Sequence, residues 1–137
     1  MEKLILNKEN YYQIIKYCQE KKPAEACGII AGEISEEKAE EKGVYYMKNI
    51  ENSAEEYLMD PEEQFEVFRN IREKGWDLLS IFHSHPETPA RPSTQDIEMA
   101  HYPEAVYTII SLAGSEPVMK AFKIEDNRYQ EVEISIN

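Results

Sequence analysis

The chain has 137 residues, 42% of them hydrophobic and 31% charged, a size and balance that suit one globular domain over residues 1–137 with a real core. Fifteen Lys and Arg against 27 Asp and Glu leave a net charge of −12, which repels phosphate backbones, argues against a nucleic-acid partner and mildly favours a basic protein face. Cys18 and Cys27 make no disulfide framework, and neither an apolar leader nor an apolar run near 18 residues is seen, so a cytoplasmic protein with no membrane association is expected.

In chain order, Leu4-Ile5-Leu6 is a short strand candidate, and Asn7 can cap a helix whose Tyr11, Ile14, Ile15 and Cys18 fall on one face before Pro23 stops it. Residues 27–34 read as a strand in which Gly28 and Gly32 lack side chains, the mark of close approach by a ligand or another backbone. The polar run 35–42 reads as an exposed hairpin loop, residues 44–50 as the returning strand and residues 57–59 as a further short extended piece. Asp60-Pro61-Glu62-Glu63 starts a helix that Gly75 ends. Residues 76–85 form a mostly apolar strand, which predicts a central position with both faces covered. A Pro-rich loop leads to a helix from Ser93 or Thr94 to about His101, and residues 105–112, 118–124 and 129–136 give three more strands. The order β-α-β-β-β-α-β-α-β-β-β predicts an α/β sandwich, a mixed sheet flanked by helices.

Chemistry concentrates in residues 78–96. His83 and His85 stand two apart on a strand and so project side by side. With Asp96 they make three ligands, and three protein ligands with an open fourth position describe catalytic rather than structural zinc. Each residue also has a plainer reading. A histidine near a strand end is often a hydrogen-bonded structural residue, and Ser93-Thr94-Gln95-Asp96 is in its own right a helix start. The two readings of that tetrapeptide are compatible, because a helix start holds Asp96 rigidly. Glu25, in this acidic chain, is either a solvated carboxylate or the general base that a zinc-water hydrolase requires.

Glu25-Ala26-Cys27-Gly28, then His83-Ser84-His85-Pro86, then Ser93 and Asp96, resembles the signature of the JAMM (MPN+) metalloproteases in residue type and spacing, and the resemblance spans nearly the whole chain. It implies a cytidine-deaminase-like JAMM sandwich in which His83, His85 and Asp96 bind one zinc ion with water as fourth ligand. Glu25 would be the general base that passes a proton to the leaving amine, and Ser93 would help hold the oxyanion. The compact chain, with HSHPETPARPSTQDIEMA and PVMKAFKI, looks like the small prokaryotic branch. There the implied partner is a ubiquitin-like or sulfur-carrier protein, cut after its C-terminal Gly-Gly to release cysteine or a conjugated protein. The sequence leaves the oligomeric state open, a dimer included.

The alternative is a non-catalytic MPN-type scaffold module. Such modules usually lose a ligand or the base, and all five positions are filled here. The H-x-E…P-C-x-x-C signature of zinc deaminases is absent, and HSHPET does not fit the HNHPSG of RadC-like domains. His101 reads as a surface or capping residue rather than a further ligand, Cys27 as a small buried residue, and Arg91 as a surface arginine or a contact for a substrate carboxylate.

Overall fold

Seven strands and three helices, described over residues 1–137 of a computed structural model, follow in the order β1 (Lys3–Leu6), α1 (Lys8–Lys21), β2 (Cys27–Ser35), β3 (Lys38–Met47), α2 (Pro61–Glu73), β4 (Asp77–His85), α3 (Thr94–Glu98), β5 (Val106–Ser111), β6 (Val118–Glu125) and β7 (Arg128–Ile136). The strands lie side by side as β1-β3-β2-β4-β5-β6-β7, and β1 closes the ring by running parallel to both β3 and β7. The β4–β5 pair is also parallel, joined by the crossover that carries α3, and the remaining pairs are antiparallel. The expected α/β class, a mixed sheet with flanking helices, is what the chain adopts. No helix is long and apolar enough to cross a membrane.

β4 is central, as its apolar run requires, with every residue from Leu79 to His85 buried. On one side of the sheet Ile14, Ile15 and Cys18 of α1 pack with Leu4, Leu6, Ile30, Phe82, Ile110 and Val132. On the other, Cys27, Ile29, Ile81, Ile109 and Phe122 meet Ile71 of α2, with Val67, Phe68 and Ile97 packed against them. Burying one such Ile or Phe contributes roughly 1.5–3 kcal/mol. Between Ile30 and Ala31 of β2 the β4 register jumps from Ser80 to Leu78, so Leu79 is a bulge, which lets it join Phe82 on the α1 side.

Three expectations need correction. Residues 38–42 are strand, and only Glu36 and Glu37 turn the hairpin. The alternation was hidden because its inward positions are Ala39 and a buried Glu41, whose carboxylate accepts from the Asn10 side chain at 3.0 Å. Residues 57–59 make no strand; Met59 forms an isolated bridge to Asn49, and the Asn49 side chain takes the Leu58 N–H. α3 ends at Glu98 rather than near His101, and beyond it the Tyr102 N–H is captured by the Tyr107 hydroxyl at 3.0 Å.

Candidate active site

The site grows from the end of β4. Ile81 belongs to the α2-side core and Phe82 to the α1-side core, so the strand period sends His83 and His85 to the α2 side. Their Nε2 atoms lie 3.2 Å apart and the two residues are 1% and 4% exposed. Ser84, facing the other way, has a positioning task. Its Oγ accepts the Ala26 N–H at 2.8 Å and its own N–H donates to the Ala26 carbonyl at 3.0 Å. These two bonds fix the start of β2 against the histidines and so deliver Glu25 beside them.

Glu25 is buried, and its Oε1 has no hydrogen-bond partner. Burial, reinforced by the charges of Asp96 and Glu56 and opposed by His85, pushes its carboxyl up to about 8. Its backbone is held on both sides, by N–H donation to the Ser53 carbonyl and by the Asn49 side-chain amide on its own carbonyl.

Asp96 arrives on α3. Ser93 Oγ accepts the Asp96 N–H at 3.0 Å, and Asp96 Oδ2 accepts the Ser93 N–H at 2.9 Å, a complete capping box. The Ser93 hydroxyl oxygen is therefore used by the cap while its proton is left to donate. Asp96 Oδ1 is 3.1 Å from His83 Nε2, and its Oδ2 is 3.0 Å from His85 Nε2. Burial alone would raise the Asp96 carboxyl, but the hydrogen bonds to both histidines outweigh it and hold it well below the usual carboxylate range.

One tautomer decides how the donor set faces a cation. His85 Nδ1 lies 2.9 Å from the Pro89 carbonyl, which can only accept, so Nδ1 carries the hydrogen. In the neutral ring Nε2 then presents a lone pair to a carboxylate oxygen at 3.0 Å and to the other imidazole at 3.2 Å. His83 Nε2, His85 Nε2 and the Asp96 carboxylate, each able to offer a lone pair, thus converge on one point. A proton can fill that place, which is why His85 is raised: burial pushes it down, and its bonds to Asp96 and Pro89 prevail. A metal cation would satisfy all three at once, their ligand atoms lying within 4.8 Å of one another. The residues fit a metal of the zinc class.

A cavity of about 410 Å³ opens on the His83 and Asp96 side of this cluster. Its floor is Met59, Ile81 and Tyr107, and Glu51, Glu55 and Glu56 supply carboxylates among its lining residues. His101 lines it too, exposed and outside the three-residue cluster, whereas Arg91 is exposed in the loop between ligands. Cys27 is buried. The sequence did not single out Tyr57, whose ring stacks on His83, or Asn49, which ties the loop 49–58 together. Neither had a signal, since that segment carries no periodicity and no motif.

The sequence pattern described as "Prokaryotic homologs of the JAB domain" matches residues 7–125. A protein named desampylase from Haloferax volcanii is 32% identical over 118 residues, covering 83% of this chain and 79% of its own. A CysO-cysteine peptidase from Mycobacterium tuberculosis is 27% identical over 134 residues, 97% of this chain and 90% of that one. A solution structure of a protein from Desulfitobacterium hafniense superposes with a TM-score of 0.88 at 37% identity, over 98% of this chain and 92% of its own.

Proposed function

The chain belongs to the family of prokaryotic homologues of the JAB domain, and from that premise we propose that it is a zinc-dependent peptidase. It cuts the peptide or isopeptide bond after the C-terminal Gly-Gly of a ubiquitin-like or sulfur-carrier protein. The observation that carries the metal is the convergence of His83 Nε2, His85 Nε2 and the Asp96 carboxylate, with the His85 lone pair turned inward by Pro89. The substrate class rests on relatives named desampylase and CysO-cysteine peptidase.

His83, His85 and Asp96 hold the ion. Zinc in such a site supplies Lewis acidity, polarising a carbonyl and lowering the pKa of water to roughly 7. Glu25 does the proton work: ionised beside a bound cation, which favours the charged form, its carboxylate accepts a proton from the attacking water and delivers it to the amine that leaves. Ser93 donates its free hydroxyl proton to the oxygen of the tetrahedral intermediate, worth on the order of 3 kcal/mol for one such donor. The cavity carboxylates and the net charge of −12 favour a basic face on the carrier around its tail. Two free, buried cysteines suit a cytoplasmic setting.

The test is intact-mass spectrometry of a ubiquitin-like carrier from the same genome, bearing a C-terminal cysteine or an isopeptide-linked lysine, before and after incubation. Loss of one cysteine residue, or release of the free Gly-Gly terminus from the conjugate, is the expected result and separates the two substrates. If neither carrier changes mass with zinc-loaded protein while zinc is bound, the scaffold alternative takes over.

A further inference from the structure

The two histidines differ at their second nitrogen. His85 Nδ1 donates to the Pro89 carbonyl, whereas His83 Nδ1 is buried without a partner. A ligating imidazole ordinarily uses that nitrogen to fix its tautomer and ring plane, and losing the partner typically costs 10–100-fold in metal affinity. Another contact must hold the His83 ring. Tyr57 lies over it, with centroids 4.7 Å apart and planes inclined by 25°.

We propose that Tyr57 is a positioning residue for His83, replacing by stacking the orienting hydrogen bond that Nδ1 lacks, and that Asn49 holds Tyr57 in place. The inference rests on the metal reading above. Asn49 Nδ2 donates to the carbonyls of Glu25 and Glu56, at 3.0 and 3.2 Å, and its Oδ1 accepts the N–H groups of Glu51 and Leu58, at 3.0 and 2.9 Å. Glu56 and Leu58 flank Tyr57, so one side chain pins both of its peptide neighbours. The same side chain holds the backbone of Glu25. A second tie anchors the loop to α3, where the Gln95 amide donates to Glu56 at 2.6 Å. The segment 49–58 therefore joins the base to the ring over the first ligand as one unit. An electron-rich phenol face also suits an imidazole that gains positive character when its other nitrogen binds a cation.

The experiment measures zinc affinity by competition with a chromophoric chelator, the d–d spectrum of the cobalt-substituted protein, and the unfolding midpoint of the chelated protein. Tyr57→Phe, which keeps the ring, should match wild type within about twofold in affinity and keep the cobalt spectrum. Tyr57→Leu should bind zinc about 10–100-fold more weakly and shift the cobalt bands, while its chelated form unfolds with that of Tyr57→Phe. Asn49→Ala leaves the ring present but frees its loop, and should reproduce the affinity loss; it decides the matter if Tyr57→Leu fails to fold. Wild-type affinity and an unchanged cobalt spectrum in the folded variant overturn the positioning role and leave the metal reading standing. Wild-type protein that takes up neither metal overturns both.

Discussion

Glu25 carries an unusual burden for a carboxylate: it is 5% exposed and one oxygen has no partner. Glu25→Ala is expected to keep zinc at wild-type stoichiometry and lose turnover by about 10²–10⁴, the range for a general base, whereas His83→Ala loses both; metal analysis beside a kinetic assay reads the difference. Equal activity in wild type and Glu25→Ala would remove Glu25 as the base. A second consequence concerns stability in the chelated protein. With its folded-state pKa raised to about 8 from 4.5, Glu25 stays protonated in the folded chain after it has ionised in the unfolded one. Its contribution is fully present below the unfolded value and is lost as pH rises through the folded one. The chelated protein should therefore weaken between those values, and Glu25→Gln should flatten the decline. Urea unfolding across that range, with an undiminished slope in Glu25→Gln, would count against a buried, proton-holding Glu25.

At the scale of the element, β2 is squeezed between β3 and β4, and Gly28 is one of the positions that leave no room for a side chain. A Cβ there would sit 2.2 Å from the Phe82 ring and 2.6 Å from the Tyr45 carbonyl. The ring is locked in the core and the carbonyl belongs to the neighbouring strand, so neither yields cheaply. Gly28→Ala should cost about 1–3 kcal/mol or more in urea unfolding; a neutral substitution would show that β2 can slide. α3 poses a different question, because Ser93 is both cap and candidate oxyanion donor. Glycine is tolerated as an N-cap at a few tenths of a kcal/mol. Ser93→Gly should therefore leave stability almost untouched while kcat falls by about 10²–10³. An unchanged kcat would leave the capping box as the whole of its task.

Over the whole molecule, charge is the dominant long-range feature. A net charge of −12, with Glu51, Glu55 and Glu56 lining the cavity, creates a negative field that would draw in a basic partner face. Raising the salt from low to several hundred millimolar should lower kcat/KM several-fold, through KM, with kcat steady, since screening shortens the reach of the field to a few ångströms. A salt-independent kcat/KM would mean that apolar contact, not charge, brings the carrier in. The closed ring of strands is the other molecular property. β1 contributes only Lys3–Leu6, yet it pairs with both β3 and β7 and ties the two ends of the chain's sheet together.

Local rules settled much of this in advance. Strand period put His83 and His85 on one face, Ser93 to Asp96 spelled a helix start, and the apolar run of β4 placed it in the middle. Such features depend on neighbours a few residues away, which the chain order states directly. The strand at residues 38–42 escaped because its inward positions are alanine and glutamate, so hydrophobicity carried no period. Residues 57–59 misled because their pairing stops at a single bridge, Met59 to Asn49, and the Leu58 N–H goes to the Asn49 side chain. The 3.0 Å approach of Asp96 to His85, the lone pair that Pro89 turns inward, the depth of Glu25 and the stacking of Tyr57 were decided only by the tertiary structure. Each is a contact between residues whose separation along the chain says nothing of their distance, and that distance is set by how the sheet twists, closes and packs its helices.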